Sequence, residues 1–205
     1  MNHRSYVEHE RSLINLASSQ GGFFTSKQAA SIGYTAPKRN YHVHAGNWVH
    51  ERRGIFRLAT QPLPPRPDLI LWWLWSRNRQ DEPQGVYSHE TALSLHELTD
   101  LMPSRFHMTV PSGFRRSAAI PRSVVLHFNN LPPSDVERID GVPVTSALRT
   151  LLDVSASGKV PAEDLRHAFN EAVRTGKITR AEIVAAKVHP INSDTLRSLQ
   201  RRKKR

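Results

Sequence analysis

Nine side chains within residues 1–60 have the types and spacing needed to grip a phosphodiester backbone and read base edges: Ser26, Lys27, Thr35, Lys38, Arg39, Asn40, Tyr41, Arg52 and Arg53. Lys38 and Arg39 can neutralise phosphates or donate to guanine, and Asn40 can pair with adenine or a phosphate. Tyr41 and His44 flank them. Ser26 and Thr35 stand at expected helix starts, where backbone N–H groups favour phosphate. Arg39 can also lay its stem on the core and keep its head outside. The stretch NWVHERRGIFRL (47–58) reads as two short apolar-patterned strands with Arg52, Arg53 and Gly54 at the tip. Adjacent arginines there can reach a neighbouring groove or backbone.

Other chemistries find less support. There are eleven histidines and no cysteine, which removes thiolate zinc sites and disulfides. His42 and His44 would point to opposite sides of a helix. His89 and His96 share a helix face but stand roughly 10 Å apart by helical rise, too far for one ion. His89 is read as a helix-start hydrogen-bonding residue. No HExxH, paired-acid nuclease pattern, phosphate-cradling glycine loop or nucleophile elbow is present. The expectation is a protein that is not an enzyme, with no cofactor and no metal.

The elements that must hold the nine side chains follow from local signals. Residues 6–18 predict a helix with Val7, Leu13, Ile14 and Ala17 inward, stopped by Gly21-Gly22. Thr25 and Gln28 form a capping-box pattern for a short helix that Gly33 ends. Thr35 opens a second helix with Pro37 in its first turn, Val43 as its inward anchor and Gly46 at its close. Strands 47–52 and 54–58 follow. Helix, short helix, turn, helix and hairpin is a winged helix-turn-helix order, in which the second helix of the turn motif enters the major groove. Ala36-Pro37 opens that helix without charge, so Arg52 and Arg53 are the foremost candidates for DNA contact.

Segment 60–68, TQPLPPRPD, holds four prolines and predicts a stiff linker at 61–67 between domains 1–60 and 68–190. The second domain begins with a helix at 68–77 whose Trp72, Trp73 and Trp75 are expected to pack. Strands at 85–88, 105–111, 123–131 and 137–146 and helices at 89–98, 147–157, 161–176 and 178–188 make it mixed, so the fold class is α+β throughout. A basic tail at 191–205 is expected to be disordered and to act as a nonspecific clamp.

The formal net charge is +11, and it is unevenly placed. Residues 1–60 hold 8 Lys+Arg against 3 Asp+Glu, residues 61–195 hold 15 of each, and residues 196–205 hold 6 bases and no acid. Basic ends on a neutral body are the electrostatic footprint of a polyanion binder. The densest apolar run, LILWWLW at 69–75, cannot span a bilayer, and MNHRSYVEHE carries no signal-peptide core. A cytoplasmic protein without membrane contact is expected.

The series GGFFTSKQAASIGY…GNWVHERRGIFRLA, YSHETALSLHEL, FHMTVP and VVLHFNNLPPSDVERIDGVPVTSALRTLLDVS resembles AbiEi-type antitoxins of abortive-infection (type IV) toxin–antitoxin systems, over about residues 10 to 185. The resemblance implies a bacterial repressor whose winged helix binds inverted repeats upstream of its own operon. It also implies a second domain that opposes a nucleotidyltransferase-like toxin without necessarily forming a stable complex. Winged-helix repressors often occupy paired half-sites, so a dimer or cooperative pair on double-stranded DNA is expected. The competing reading is a protein-interaction module, or a stand-alone DNA-binding regulator with no antitoxin activity.

Overall fold

The computed structural model describes residues 3–100, 102–116, 119–186 and 195–199. They form an α+β fold in two compact units, 1–85 with 140–142, and 86–139 with 143–205.

The first unit opens with α1 (His3–Ser18), whose buried line is Leu13 and Ala17 with Leu16 half-buried beside them. Val7 and Ile14, expected inward, are 48% and 42% exposed. A helix buries one stripe, and the stripe through Leu13 and Ala17 leaves positions 7 and 14 roughly 100° around the barrel of the helix. The next element, β1 (Phe23–Thr25), was not expected, because three residues carry no readable pattern; it exists through antiparallel pairing with β3 (Ile55–Leu58), Phe23 opposite Arg57 and Thr25 opposite Ile55. Between them lie α2 (Ser26–Ser31), α3 (Ala36–His44) and β2 (Trp48–Arg52), and the sheet order is β1-β3-β2. The capping box forms as read: the Thr25 hydroxyl accepts from Gln28 N at 3.1 Å, and Gln28 Oε1 accepts from Thr25 N at 2.8 Å. The core is Leu13, Ala17, Phe24, Ala29, Tyr34, Trp48 and Leu58, with Phe24 set edge-on to Trp48 at 4.7 Å. This is the winged helix-turn-helix order, with a third strand closing its sheet.

The proline-rich segment does not separate the units. The helix after it, α4 (Pro67–Trp75), belongs to the first unit and packs on β1 and β3, burying Trp72 and Trp75 to 2% and 5% exposure. The expected boundary at 61–67 therefore moves to Gly85/Val86. Prolines make the segment stiff, but the apolar surface of α4 decides which core it joins. Trp72 and Trp75 pack, as expected, and Trp73 is half-buried.

In the second unit a five-stranded sheet runs β6 (Val124–Phe128), β5 (Phe106–Val110), β4 (Val86–Tyr87), β8 (Val142–Thr145) and β7 (Val136–Ile139). β5 is parallel to β6 and antiparallel to β4, while β4 is parallel to β8. The single strand expected over 137–146 is the hairpin β7–β8, turning at Asp140-Gly141 with positive φ at both residues. Asp-Gly is the sequence signature of that turn, so the signal was present. α5 (His89–Leu95) ends earlier than the expected residue 98, because Glu97 turns left-handed and Leu98 N bonds back to Leu93 O at 3.0 Å. α6 (Ala147–Ser157), α7 (Ala162–Arg174) and α8 (Arg180–Ala186) complete the unit around Leu93, Leu98, Leu151, Val154, Leu165 and Phe169. Residues 195–199 are helical, and Leu196 and Leu199 are buried in the same core, so that part of the expected disordered tail is structured. The basic end of the tail lies outside the described residues. Among the described residues no helix is long and apolar enough to cross a membrane.

Candidate nucleic-acid interface

The orientation of α3 fixes which side chains can meet a ligand. Its most buried side chain is His42, 8% exposed, while Val43, expected as the inward anchor, is half-buried and packs against the same core. The His42 ring lies 4.9 Å from Trp48 in a stacked arrangement and 5.4 Å from Tyr34 edge-on. Burial pushes its pKa below the usual histidine value, which keeps the ring neutral at physiological pH. A neutral imidazole of that size packs as a flat aromatic, and apolarity scales miss it.

That rotation draws two expected contact residues back toward the protein. Arg39 Nη1 donates to Tyr34 O at 2.7 Å, and Lys38 Nζ donates to Gly33 O at 3.4 Å; both side chains are half-buried. The carbonyls they meet belong to the turn before α3, so the two cations hold the helix-turn-helix together. Pro37, Asn40, Tyr41 and His44 are exposed, at spacings of three, four and seven residues, and so form one face of α3. Tyr41 is 67% exposed. His44 Nδ1 contacts Asn40 O at 2.7 Å. Thr35, the N-cap of α3, is exposed and its hydroxyl caps no backbone N–H.

The second group of expected residues meets at the wing tip. β2 and β3 pair with Arg52 opposite Ile55, with a bulge between His50 and Arg52, and Arg53-Gly54 makes the turn. Because β1 pairs with the same end of β3, the tip lies against the start of α2, where Ser26 N donates to Gly54 O at 3.0 Å. Ser26 is half-buried there, and Lys27, Arg52 and Arg53 are exposed. Gly54 is required: its φ is +74°, and a Cβ would lie 2.7 Å from Arg77 Nη2 and 3.2 Å from Ser26 Oγ. The Arg52 guanidinium carbon lies 4.2 Å from the centre of the Trp72 ring, a cation–π contact that holds one face of the group and leaves its N–H edge able to donate.

Sequence reasoning missed the parts of this site that come from beyond the proline-rich segment: Trp72, and the loop after α4 with Arg77 and Arg79. Arg77 Nη2 donates to Gly54 O at 3.2 Å, and Arg77 Nε pairs with Asp81 at 2.9 Å. The signal was the string RNRQD at 77–81, two arginines directly after a tryptophan-rich helix.

A separate histidine cluster sits in the second unit. His89 and His127 stack at 3.5 Å, His107 Nδ1 lies 3.1 Å from His127 Nε2 and 2.9 Å from Glu90 Oε2, and His89 Nδ1 contacts the Ser88 hydroxyl at 3.0 Å. Burial first, and then the neighbouring imidazoles, push His89 and His127 down to about 4. The His107 ring beside Glu90 holds that carboxyl down at about 2. Among the described residues no group of three or more histidine and acidic side chains is arranged to hold a metal ion. His96 is a structural link, its Nε2 donating to Thr145 O at 2.7 Å.

No protein-family model matches the chain, and no curated protein does. Among solved structures it is similar to the crystal structure of the RV2827C protein from Mycobacterium tuberculosis, at a TM-score of 0.57 and 14% identity, covering 95% of this chain and 78% of that one. At that identity the likeness is one of fold: two proteins of distant sequence share this α+β architecture across nearly the whole chain.

Proposed function

We propose that the protein is a double-stranded DNA-binding regulator in which α3 enters the major groove and the wing tip holds the backbone beside it. The observation that carries this reading is the exposed face Pro37, Asn40, Tyr41 and His44 on a winged helix-turn-helix whose wing presents Arg52 and Arg53. Asn40 offers both a donor and an acceptor to a base edge, and Tyr41 a flat ring with a hydroxyl. The finer reading follows the resemblance: a cytoplasmic bacterial repressor of its own operon that binds inverted repeats and acts as the antitoxin opposing a nucleotidyltransferase-like toxin. The test is a gel-shift titration of the full chain against the DNA upstream of its own reading frame, with a shuffled duplex as competitor. Saturable binding that outcompetes the shuffled duplex and weakens steeply with salt is expected. Equal affinity for both duplexes would leave only nonspecific binding and overturn the repressor reading. Co-expression with the neighbouring reading frame, scored as relief of growth arrest, tests the antitoxin role.

A second reading has its own observation. Tyr6, Val7 and Ile14 are exposed along α1, at 45%, 48% and 42%. Val7 and Ile14, seven residues apart, share one face of α1, and an exposed apolar pair there suits pairing of two copies on a two-fold operator. Sedimentation of the free chain distinguishes a preformed dimer from two monomers that meet on DNA.

A further inference from the structure

We propose that the loop at residues 77–82 is a third limb of the DNA interface, beside α3 and the wing, with Arg79 as its phosphate-contacting side chain. The inference rests on the DNA-binding reading and adds to it a contact from outside the winged-helix motif.

The loop is ordered from within and fastened from without. Asn78 Oδ1 accepts from Gln80 N at 2.9 Å and from Glu82 N at 3.0 Å, which closes a tight turn. Three contacts then tie the loop to the parts of the helix-turn-helix that face a ligand. The Thr25 hydroxyl donates to the Asp81 carboxylate. Lys27 Nζ donates to the Arg79 carbonyl at 2.5 Å. Arg77 bridges Asp81 and the Gly54 carbonyl at the wing tip. Thr25 caps α2, Lys27 lies in its first turn and Gly54 is the wing turn, so the loop is fixed at the point where these elements meet.

The charges divide cleanly. Arg77 and Asp81 neutralise each other in a half-buried pair, and the exposed Glu82 carboxylate accepts from the Asn78 amide at 2.9 Å. Arg79 is exposed and has no carboxylate partner among the described residues, and the same holds for Lys27 and Arg53. Lys27, Arg52, Arg53 and Arg79 are therefore held together on one edge of the first unit. Like charges gathered at a fastened site repel one another unless a polyanion lies across them.

The fastening uses the main-chain carbonyl of Arg79, so its side chain can be changed without loosening the loop. The experiment is fluorescence anisotropy of the full-length chain on a short mixed-sequence duplex across a potassium chloride series. Wild type is compared with Arg79→Gln, Arg79→Glu and the exposed Arg122→Gln control, with thermal melts of each. Arg79→Gln is expected to weaken binding roughly three- to tenfold and to lower the salt slope by about 0.9. Arg79→Glu is expected to weaken it further, with melting temperatures and the control unchanged. Wild-type binding with Arg79→Gln inside twofold and an unaltered slope overturns the third limb and leaves the DNA-binding reading standing. Wild type that binds no duplex overturns both.

Discussion

His42 lies between Tyr34 and Trp48, and its burial turns Asn40, Tyr41 and His44 outward. If flat shape and neutrality are what the site requires, His42→Phe should keep stability within about 1 kcal/mol, while His42→Ala should lose about 2 kcal/mol through the cavity it leaves. Urea denaturation of the two variants checks this. At the proposed DNA face, base-reading and backbone-holding residues should separate by assay. Asn40→Ala or Tyr41→Ala should relax discrimination between specific and shuffled duplex with little change in salt slope, because base contacts carry sequence and phosphate contacts carry charge. Arg52→Ala with Arg53→Ala should weaken all duplexes and lower the slope by up to about 1.8. Competition binding across salt measures both. Lys38 and Arg39 matched the composition of a DNA contact, yet each donates to a carbonyl of the preceding turn. Their residue types alone could not say so.

At the scale of elements, Thr25 joins three of them. It ends β1, caps α2 through its hydroxyl oxygen and donates its hydroxyl proton to Asp81 in the loop after α4. Thr25→Ala removes both bonds and is expected to cost about 1–3 kcal/mol, with Thr25→Ser restoring most of it. Thermal melts of the pair decide between a hydroxyl role and a methyl role. The cap was legible because a capping box is local, spanning Thr25 to Gln28. β1 was not legible, because its existence depends on β3 about thirty residues later. The Asp140-Gly141 turn is also a local signal, because Asp-Gly between two alternating runs marks a hairpin.

For the whole molecule the two units carry different chemistry. The first gathers exposed cations, while the second buries imidazoles, and its acid response follows from that. His89 and His127 are held down at about 4 against an unfolded value of 6.5, so between those values the unfolded chain binds more protons than the folded one. Stability is therefore full above pH 6.5 and falls as pH drops toward 4. Burial also lowers His96, which adds in the same direction. Glu90, held at about 2, contributes stability above its unfolded value of 4.5 that is lost as pH falls through 2. Thermal melts should show a decline from pH 6.5 to 4.5, before most carboxylates titrate. The double variant His89→Gln/His127→Gln should flatten it. An unchanged pH profile in that variant would show that the stacked pair does not drive the acid response.

The sequence by itself determined the elements whose causes are local: the capping box at Thr25, the glycine stops, the wing hairpin, the amphipathic α7, and the concentration of charge toward the basic ends. These follow from hydrogen bonds and periodicity within a few residues, which any tertiary setting leaves in force. Only the tertiary structure decided which face of α3 looks outward, that α4 joins the winged helix, that Arg52 lies on Trp72, and that Arg79 is carried to the side of Lys27. Each depends on which apolar surface finds which partner across long stretches of chain. Burial is a property of the assembled core, not of the residue buried in it.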